Sequence, residues 1–179
     1  MSQTYYFKLP LYLEQGDTIR EAVITFDGVE VAGAEVASTD RANPTNLIFS
    51  VDKEPGIYTL TVSIATHVEP WAVLVVDDIW MSIDNTNWKS AIINKIKSDA
   101  PDASYGFDPV KGCGLFGDEA RSWNLSLVSA DVWDSQYSSF SQIYPELTDS
   151  EINEKFNNDA EMVEKFKIAK AALTARGYN

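Results

Sequence analysis

Between Glu21 and Ile79 the chain reads as short alternating segments separated by tight-turn signals, and this pattern commits it to a β architecture. Val23-Ile24-Thr25-Phe26 meets Val29-Glu30-Val31 across Asp27-Gly28. A two-residue hairpin loop needs positive φ, which glycine adopts at little steric cost, so this is the strongest local signal. Pro55-Gly56 then opens Ile57 to Ile64. In that segment Tyr58, Leu60, Val62 and Ile64 face one way while Thr59, Thr61 and Ser63 face the other.

The flanks extend the pattern. Tyr5, Phe7, Leu9, Leu11 and Leu13 alternate with Tyr6, Lys8, Pro10 and Tyr12, which predicts a half-buried strand. Pro10 has no N–H to give a ladder, so that strand is expected at an edge or broken there. Ala32 to Asn46 is small, polar and contains Pro44, and reads as a long loop; Leu47, Phe49 and Val51 form the next strand. Trp71 to Val76 is apolar on both faces, as in a doubly covered strand. Asp77-Asp78 ends it, and Ile79 to Ile83 continues the extended pattern.

Beyond this the periodicity changes. Trp88, Ile92 and Ile96 recur every four residues behind Asn85-Thr86, which predicts a short helix ending before Asp99-Ala100-Pro101. Asp102 to Asp118 is loop-like, and Trp123, Leu125 and Leu127 alternate as a returning strand. Thr148 with Glu151 is a capping box, and Ile152, Phe156, Val163, Phe166 and Leu173 share a helical stripe. Asn157-Asn158-Asp159 splits that stripe, Asp159 capping the second helix. The fold class is therefore mainly β (α+β). It comprises an antiparallel β-sandwich or jelly-roll-like module over 1–83, a short helix and loop-rich segment over 84–146, and C-terminal helices over 147–179.

Charge removes whole classes of partner. The chain of 179 residues has 14 Lys and Arg against 27 Asp and Glu, a formal charge of −13. A nucleic-acid binder displaces phosphate counterions with clustered cations, and an anionic membrane attracts the same clusters; neither partner is expected. No run approaches a membrane span, and Met1-Ser2-Gln3-Thr4 has no basic region before an apolar core, so synthesis in a cytoplasm is expected. Cys113 and His67 each stand alone in their residue type, which excludes an internal disulfide, a cysteine-based metal site and a multi-histidine site.

The candidate chemistry is sparse. Asp77 and Asp78, with Asp84 nearby, can supply oxygen ligands to a hard cation such as calcium; the plainer reading is a strand end with solvated carboxylates. Asp40, Asn43 and Asn46 form a second oxygen-rich loop. Trp71, Trp80, Trp88, Trp123 and Trp133 are core anchors or sugar-stacking platforms. Lys111 to Gly117 is glycine-rich but lacks the closing Lys-Ser/Thr of a phosphate loop, and reads as a structural turn. Paired carboxylates are the enzyme chemistry left open, and no catalytic residue is assigned, since 27 acidic residues give no means of ranking a pair.

Glu21 to Val31, Pro55-Gly56-Ile57-Tyr58-Thr59-Leu60-Thr61-Val62 and Leu74-Val75-Val76-Asp77-Asp78-Ile79 together resemble the calcium-dependent xylan-binding β-sandwich modules. Similar modules recur in structural proteins of tailed, especially marine, phages. There the last strand is followed by a stretch like Ser82-Ile83-Asp84-Asn85-Thr86-Asn87-Trp88. The resemblance covers roughly residues 5 to 88. Of the family's calcium and sugar site, Asp77 alone matches, and Thr66 to Pro70 carries neither the Asn-Asp loop nor the Asp-Arg-Asn stretch.

Two readings follow. The resemblance implies first a non-enzymatic phage virion protein, a capsid decoration or a tail or fibre component, made in a host cytoplasm. Such a protein docks on neighbouring virion proteins or on itself through the sandwich and C-terminal helices, with Phe156, Val163, Phe166 and Leu173 packing on the sandwich or serving as partner-contact residues, and no cofactor. The alternative is a carbohydrate-binding module or adhesin for cell-surface glycan, bacterial in origin, holding calcium at Asp77, Asp78 and Asp84. A carboxylate-based glycosidase is a third and weaker fit.

Overall fold

The alternation of the first strand organises one entire sheet. A computed structural model of the chain describes residues 2–16, 18–66, 71–93, 113–116, 120–129, 148–155, 157–161, 163–164, 166–167 and 171. In it β1 (Gln3–Gln15) turns Tyr5, Phe7, Leu9, Leu11 and Leu13 into the core. One side of β1 pairs with β4 (Thr45–Lys53) from Gln3↔Lys53 to Leu11↔Thr45. The other side carries β6 (Val73–Val76) and β7 (Trp80–Ser82) in line; β10 (Cys113–Phe116) lies outside β6 and β8 (Lys89–Ser90) outside β7.

The second sheet has the order β3-β2-β5-β11-β9. Its strands are β2 (Ile19–Phe26), β3 (Val29–Val36), β5 (Gly56–Thr66), β9 (Ile92–Ile93) and β11 (Ala120–Leu127). All pairings are antiparallel, and the inner faces of both sheets meet in one hydrophobic cluster, so the fold is the expected β-sandwich. At its centre the Phe7 ring lies 5.2 Å from Phe49 and 5.5 Å from Phe26, which in turn lies 5.7 Å from Tyr58. Tyr5 brings a phenol into this core, and its hydroxyl donates to the Val128 carbonyl at 2.8 Å. Burial pushes that phenol well above its usual range, with Tyr58 adding to the effect.

Local signals explain several boundaries. Asp27 and Gly28 have φ of 53° and 82°, the doubly positive pattern of a type I′ hairpin. Open space surrounds the place a Gly28 Cβ would take, so it is φ that calls for glycine there. Pro10 behaves differently from the expectation of an edge. β1 is paired on both sides, and it is the partner strand that breaks: pairing lapses between Val76 and Trp80. The N–H and C=O of one strand residue point the same way. The Pro10 carbonyl accepts from the Asp77 N–H at 2.9 Å, so its missing donor faces this interruption.

Two sequence expectations are corrected. Ala32 to Val36 belongs to β3 and not to a loop, which shrinks to residues 37–44. Gly33 and Ala34 have weak strand preference of their own, and pairing with Val23 and Ala22 decides their state. The helix expected behind Asn85-Thr86 is instead a pair of short strands, β8 joining the first sheet and β9 the second. The Ala91 N–H between them donates to the Ile79 carbonyl at 2.8 Å, so strand partners outweigh the four-residue spacing. The rest of that helix, Ile96 included, lies outside the described residues. The sandwich thus draws strands from beyond residue 83, and the returning strand is β11, with Trp123, Leu125 and Leu127 in the core.

Thr148 and Glu151 form the capping box of α1 (Asp149–Lys155): the Thr148 hydroxyl donates to Glu151 Oε1 at 2.9 Å, and the Glu151 N–H donates to Thr148 Oγ1 at 3.3 Å. Asn157 and Asn158, with φ of 52° and 60°, end that helix; Asp159 then accepts from the Glu161 N–H at 3.2 Å as helical residues resume. Ile152, Val163 and Phe166 are buried in the cluster that the sheets share.

Candidate functional site

The aspartates expected as cation ligands sit around the break in the strand opposite Pro10, and each has a protein partner. Asp77 meets the Arg41 guanidinium at 2.6 Å, an ionic contact across the start of the 37–44 loop. Asp78 accepts from the Ile79 N–H at 2.7 Å and from the Ser90 hydroxyl at 2.9 Å. Burial pushes its carboxyl above the usual range, against the pull of those two hydrogen bonds.

Asp84 is the hub of a turn. Its Oδ1 accepts from the Ser82 hydroxyl at 2.8 Å and from the Thr86 and Asn87 N–H groups, both at 2.9 Å; its Oδ2 accepts from the Asn87 amide at 3.0 Å. The Asn87 and Thr86 N–H groups, then the Ser82 hydroxyl, hold this carboxyl far below its usual range. Asn85 at φ 61° lets the backbone double back. The spacing Ser82-x-Asp84-x-x-Asn87-Trp88 thus has a structural account: it folds a turn that delivers Trp88. Among the described residues no three His, Cys, Asp or Glu side chains group as a metal centre, so Asp77, Asp78 and Asp84 are not brought together as one.

The second oxygen-rich loop is also closed on itself. Asp40 accepts from the Ala42 N–H at 2.9 Å and the Asn43 amide at 2.8 Å, and these bonds lower its carboxyl pKa, the Asn43 amide most. The Leu13 N–H donates to the Ser38 carbonyl at 2.7 Å, tying the loop to β1. Of the glycine-rich stretch, Cys113 to Phe116 forms β10 beside β6. His67, Trp133, Phe156 and Leu173 lie outside the described residues. Of the residues expected to pack on the sandwich or on a partner, Val163 and Phe166 are buried in the chain's own core, against the sheets.

What does gather is an aromatic face on the outside of the first sheet. Strand partners directly opposite one another point to the same side. Ile48, Lys8, Trp80 and Ser90 therefore form one outward row across β4, β1, β7 and β8, and Ser50, Tyr6 and Ser82 form the next. Trp88 joins them from the Asp84 turn: the Lys8 Nζ lies 4.7 Å from its ring centroid. Tyr6, Lys8, Trp80 and Trp88 are partly exposed, and Ile48 is 54% exposed. Ser90 and Asp78 border the rings with hydrogen-bonding oxygens. Trp123, by contrast, is a core residue at 4% exposure, and Trp71, 47% exposed, stands ahead of β6.

The sequence offers Trp80 and Trp88 among five tryptophans as candidate platforms but does not mark Tyr6, Lys8 or Ile48 as site residues. The available signal was the outward half of β1's alternation, Tyr6-x-Lys8. It says that these residues face solvent and not which strands stand beside them.

The outer face of the second sheet is of another kind. Thr25, Thr61 and Ser122 form a row, as do Thr59 and Asn124. The Thr59 hydroxyl donates to the Asn124 side-chain oxygen at 3.0 Å, and the Thr61 and Ser122 hydroxyls share a hydrogen bond at 2.8 Å.

No family model and no curated protein matches the chain. Among solved structures, a chain titled "vCBM60 in complex with galactobiose" is similar to it at 10% identity, over 68% of this chain and 95% of that chain, with a TM-score of 0.33. A likeness at that level carries no argument about the site.

Proposed function

We propose that the chain is a non-catalytic carbohydrate-binding β-sandwich module that takes glycan on the outer face of its first sheet. The observation that carries this reading is the gathering of Tyr6, Trp80 and Trp88 on one partly exposed sheet surface, with Ser90 and Asp78 oxygens at its border. Aromatic rings offer flat apolar area to the C–H face of a pyranose, and bordering oxygens fix its hydroxyls. This reading takes binding to be independent of calcium, because Asp77, Asp78 and Asp84 do not group together among the described residues. Affinity electrophoresis through soluble polysaccharides, with calcium and again with chelator, tests it. Retention that survives chelation and falls in Trp80→Ala is expected. Passage of wild type through every polysaccharide without delay would refute it.

A second reading is an assembly module of a tailed-phage virion that docks on neighbouring subunits or on itself. What supports it is a pair of apolar side chains left outside on edge strands, Val29 on β3 at 65% exposure and Ile48 on β4 at 54%. Light scattering after size exclusion distinguishes the two: a defined oligomer lost in Ile48→Asp favours assembly, and a monomer favours the glycan reading.

A further inference from the structure

We infer that the aromatic face selects glycans that carry a negative charge, as uronate carboxylate or sulfate ester, through Lys8; this rests on the glycan-binding reading above. Lys8 stands in the middle of the face, on the strand paired on both sides, between Ile48 and Trp80 in its row. Its ammonium sits over the Trp88 ring at 4.7 Å, and among the described residues it makes no ion pair. Arg41 and Lys53, by contrast, stand against Asp77 and Asp27, in a chain whose acidic residues outnumber its basic ones by 27 to 14.

An ammonium held on a ring is held weakly, by about 0.5–1 kcal/mol at an exposed site, and keeps its three N–H donors for another acceptor. A pyranose stacked on Trp80 would bring a ring substituent within reach of Lys8, the next residue in the row. A carboxylate or sulfate there adds the attraction of opposite charges to the ammonium's hydrogen bond, which a neutral hydroxymethyl group cannot. Nucleic acid is a poor match, because its affinity comes from many cations along the phosphate backbone and the face offers Lys8 alone among the described residues.

The test compares polymers that share a backbone and differ in charge. Polygalacturonate is set against its methyl ester, and a sulfated galactan against the same galactan after desulfation. Each is titrated into wild type, Lys8→Gln and Lys8→Arg at low and high salt, with melting temperatures recorded to confirm folding. The expected result is roughly tenfold tighter binding of a charged polymer than of its neutral counterpart. That preference should disappear in Lys8→Gln, survive in Lys8→Arg and fade with salt. Which anion wins, carboxylate or sulfate, identifies the source of the charge. Equal binding of charged and neutral polymers, or a preference untouched in Lys8→Gln, overturns the inference and leaves the glycan reading standing. No binding to any of the four polymers overturns the inference, and the glycan reading is then decided by the wider set of polysaccharides above.

Discussion

The two outer faces of this sandwich obey the same alternation and end in opposite chemistry. On the second sheet, Thr59 with Asn124 and Thr61 with Ser122 complete hydrogen bonds to each other across the strands. Their polar groups are satisfied within the protein, and the face is flat and small-featured. On the first sheet, Tyr6, Trp80 and Trp88 present ring surface, and Lys8 has an aromatic partner where a carboxylate would be usual. The inner faces must match to close the core, whereas the outer faces carry no such demand. An outward face that satisfies itself contributes stability; one that leaves flat apolar area and a spare charge is available to a ligand.

That contrast can be broken or sharpened by substitution. The largest effect should come from what both faces rest on: Phe7→Ala empties the space against Phe49 and Phe26 and should cost about 3–5 kcal/mol in urea denaturation. Asp84→Ala comes next. It removes the acceptor of two backbone N–H groups and should lower the melting temperature, with glycan affinity falling too as Trp88 loses its support. If affinity holds while stability drops, Trp88 is no part of the ligand face.

Trp80→Ala should weaken glycan binding about tenfold, roughly 1.4 kcal/mol, at nearly unchanged stability. Thr61→Ala on the opposite face should do the reverse: a loss of about 0.5–1 kcal/mol of stability and unaltered binding. Binding lost in Thr61→Ala and kept in Trp80→Ala would exchange the roles assigned to the two faces.

The smallest effect is a matter of sign. Asp84, its carboxyl held low, stabilises the fold above the unfolded value of about 3.9 and withdraws that support as pH falls through its lower folded value. Asp78, its carboxyl held high, favours the fold while protonated, below the unfolded value, and loses that contribution as pH rises through the folded value. Asp78→Asn should therefore compare better with wild type at pH 7 than at pH 3, and melting curves at both pH values check it.

Much of this fold was legible because its signals are local. The Asp27-Gly28 turn, the inward half of β1, the alternation of β5, the returning Trp123-x-Leu125-x-Leu127 and the Thr148–Glu151 cap each arise from neighbours in sequence. β3 was missed where Gly33 and Ala34 take their state from β2, and β8 and β9 where Trp88 and Ile92 happened to fall at helical spacing. The outer aromatic face was illegible for a stronger reason. Tyr6 and Lys8 meet Trp80 and Trp88 only through strand register across more than seventy residues, and composition holds no record of register. Asp77, Asp78 and Asp84 advertise oxygen in the sequence, and their partners, the Arg41 guanidinium and nearby N–H groups, become visible only in the fold.

Pro10 divides one flank of the first sheet and leaves the other whole. β1 serves as a common spine for two short ladders, β6 with β10 toward one end and β7 with β8 toward the other, and the Asp77 N–H to the Pro10 carbonyl is a rung between them. On its other flank β1 stays paired with β4 without a gap from Gln3 to Leu11, straight past Pro10. That unbroken ladder keeps the Lys8–Trp80 row and the Tyr12–Val75 pair in one register, so the break interrupts pairing on one side without dividing the sheet.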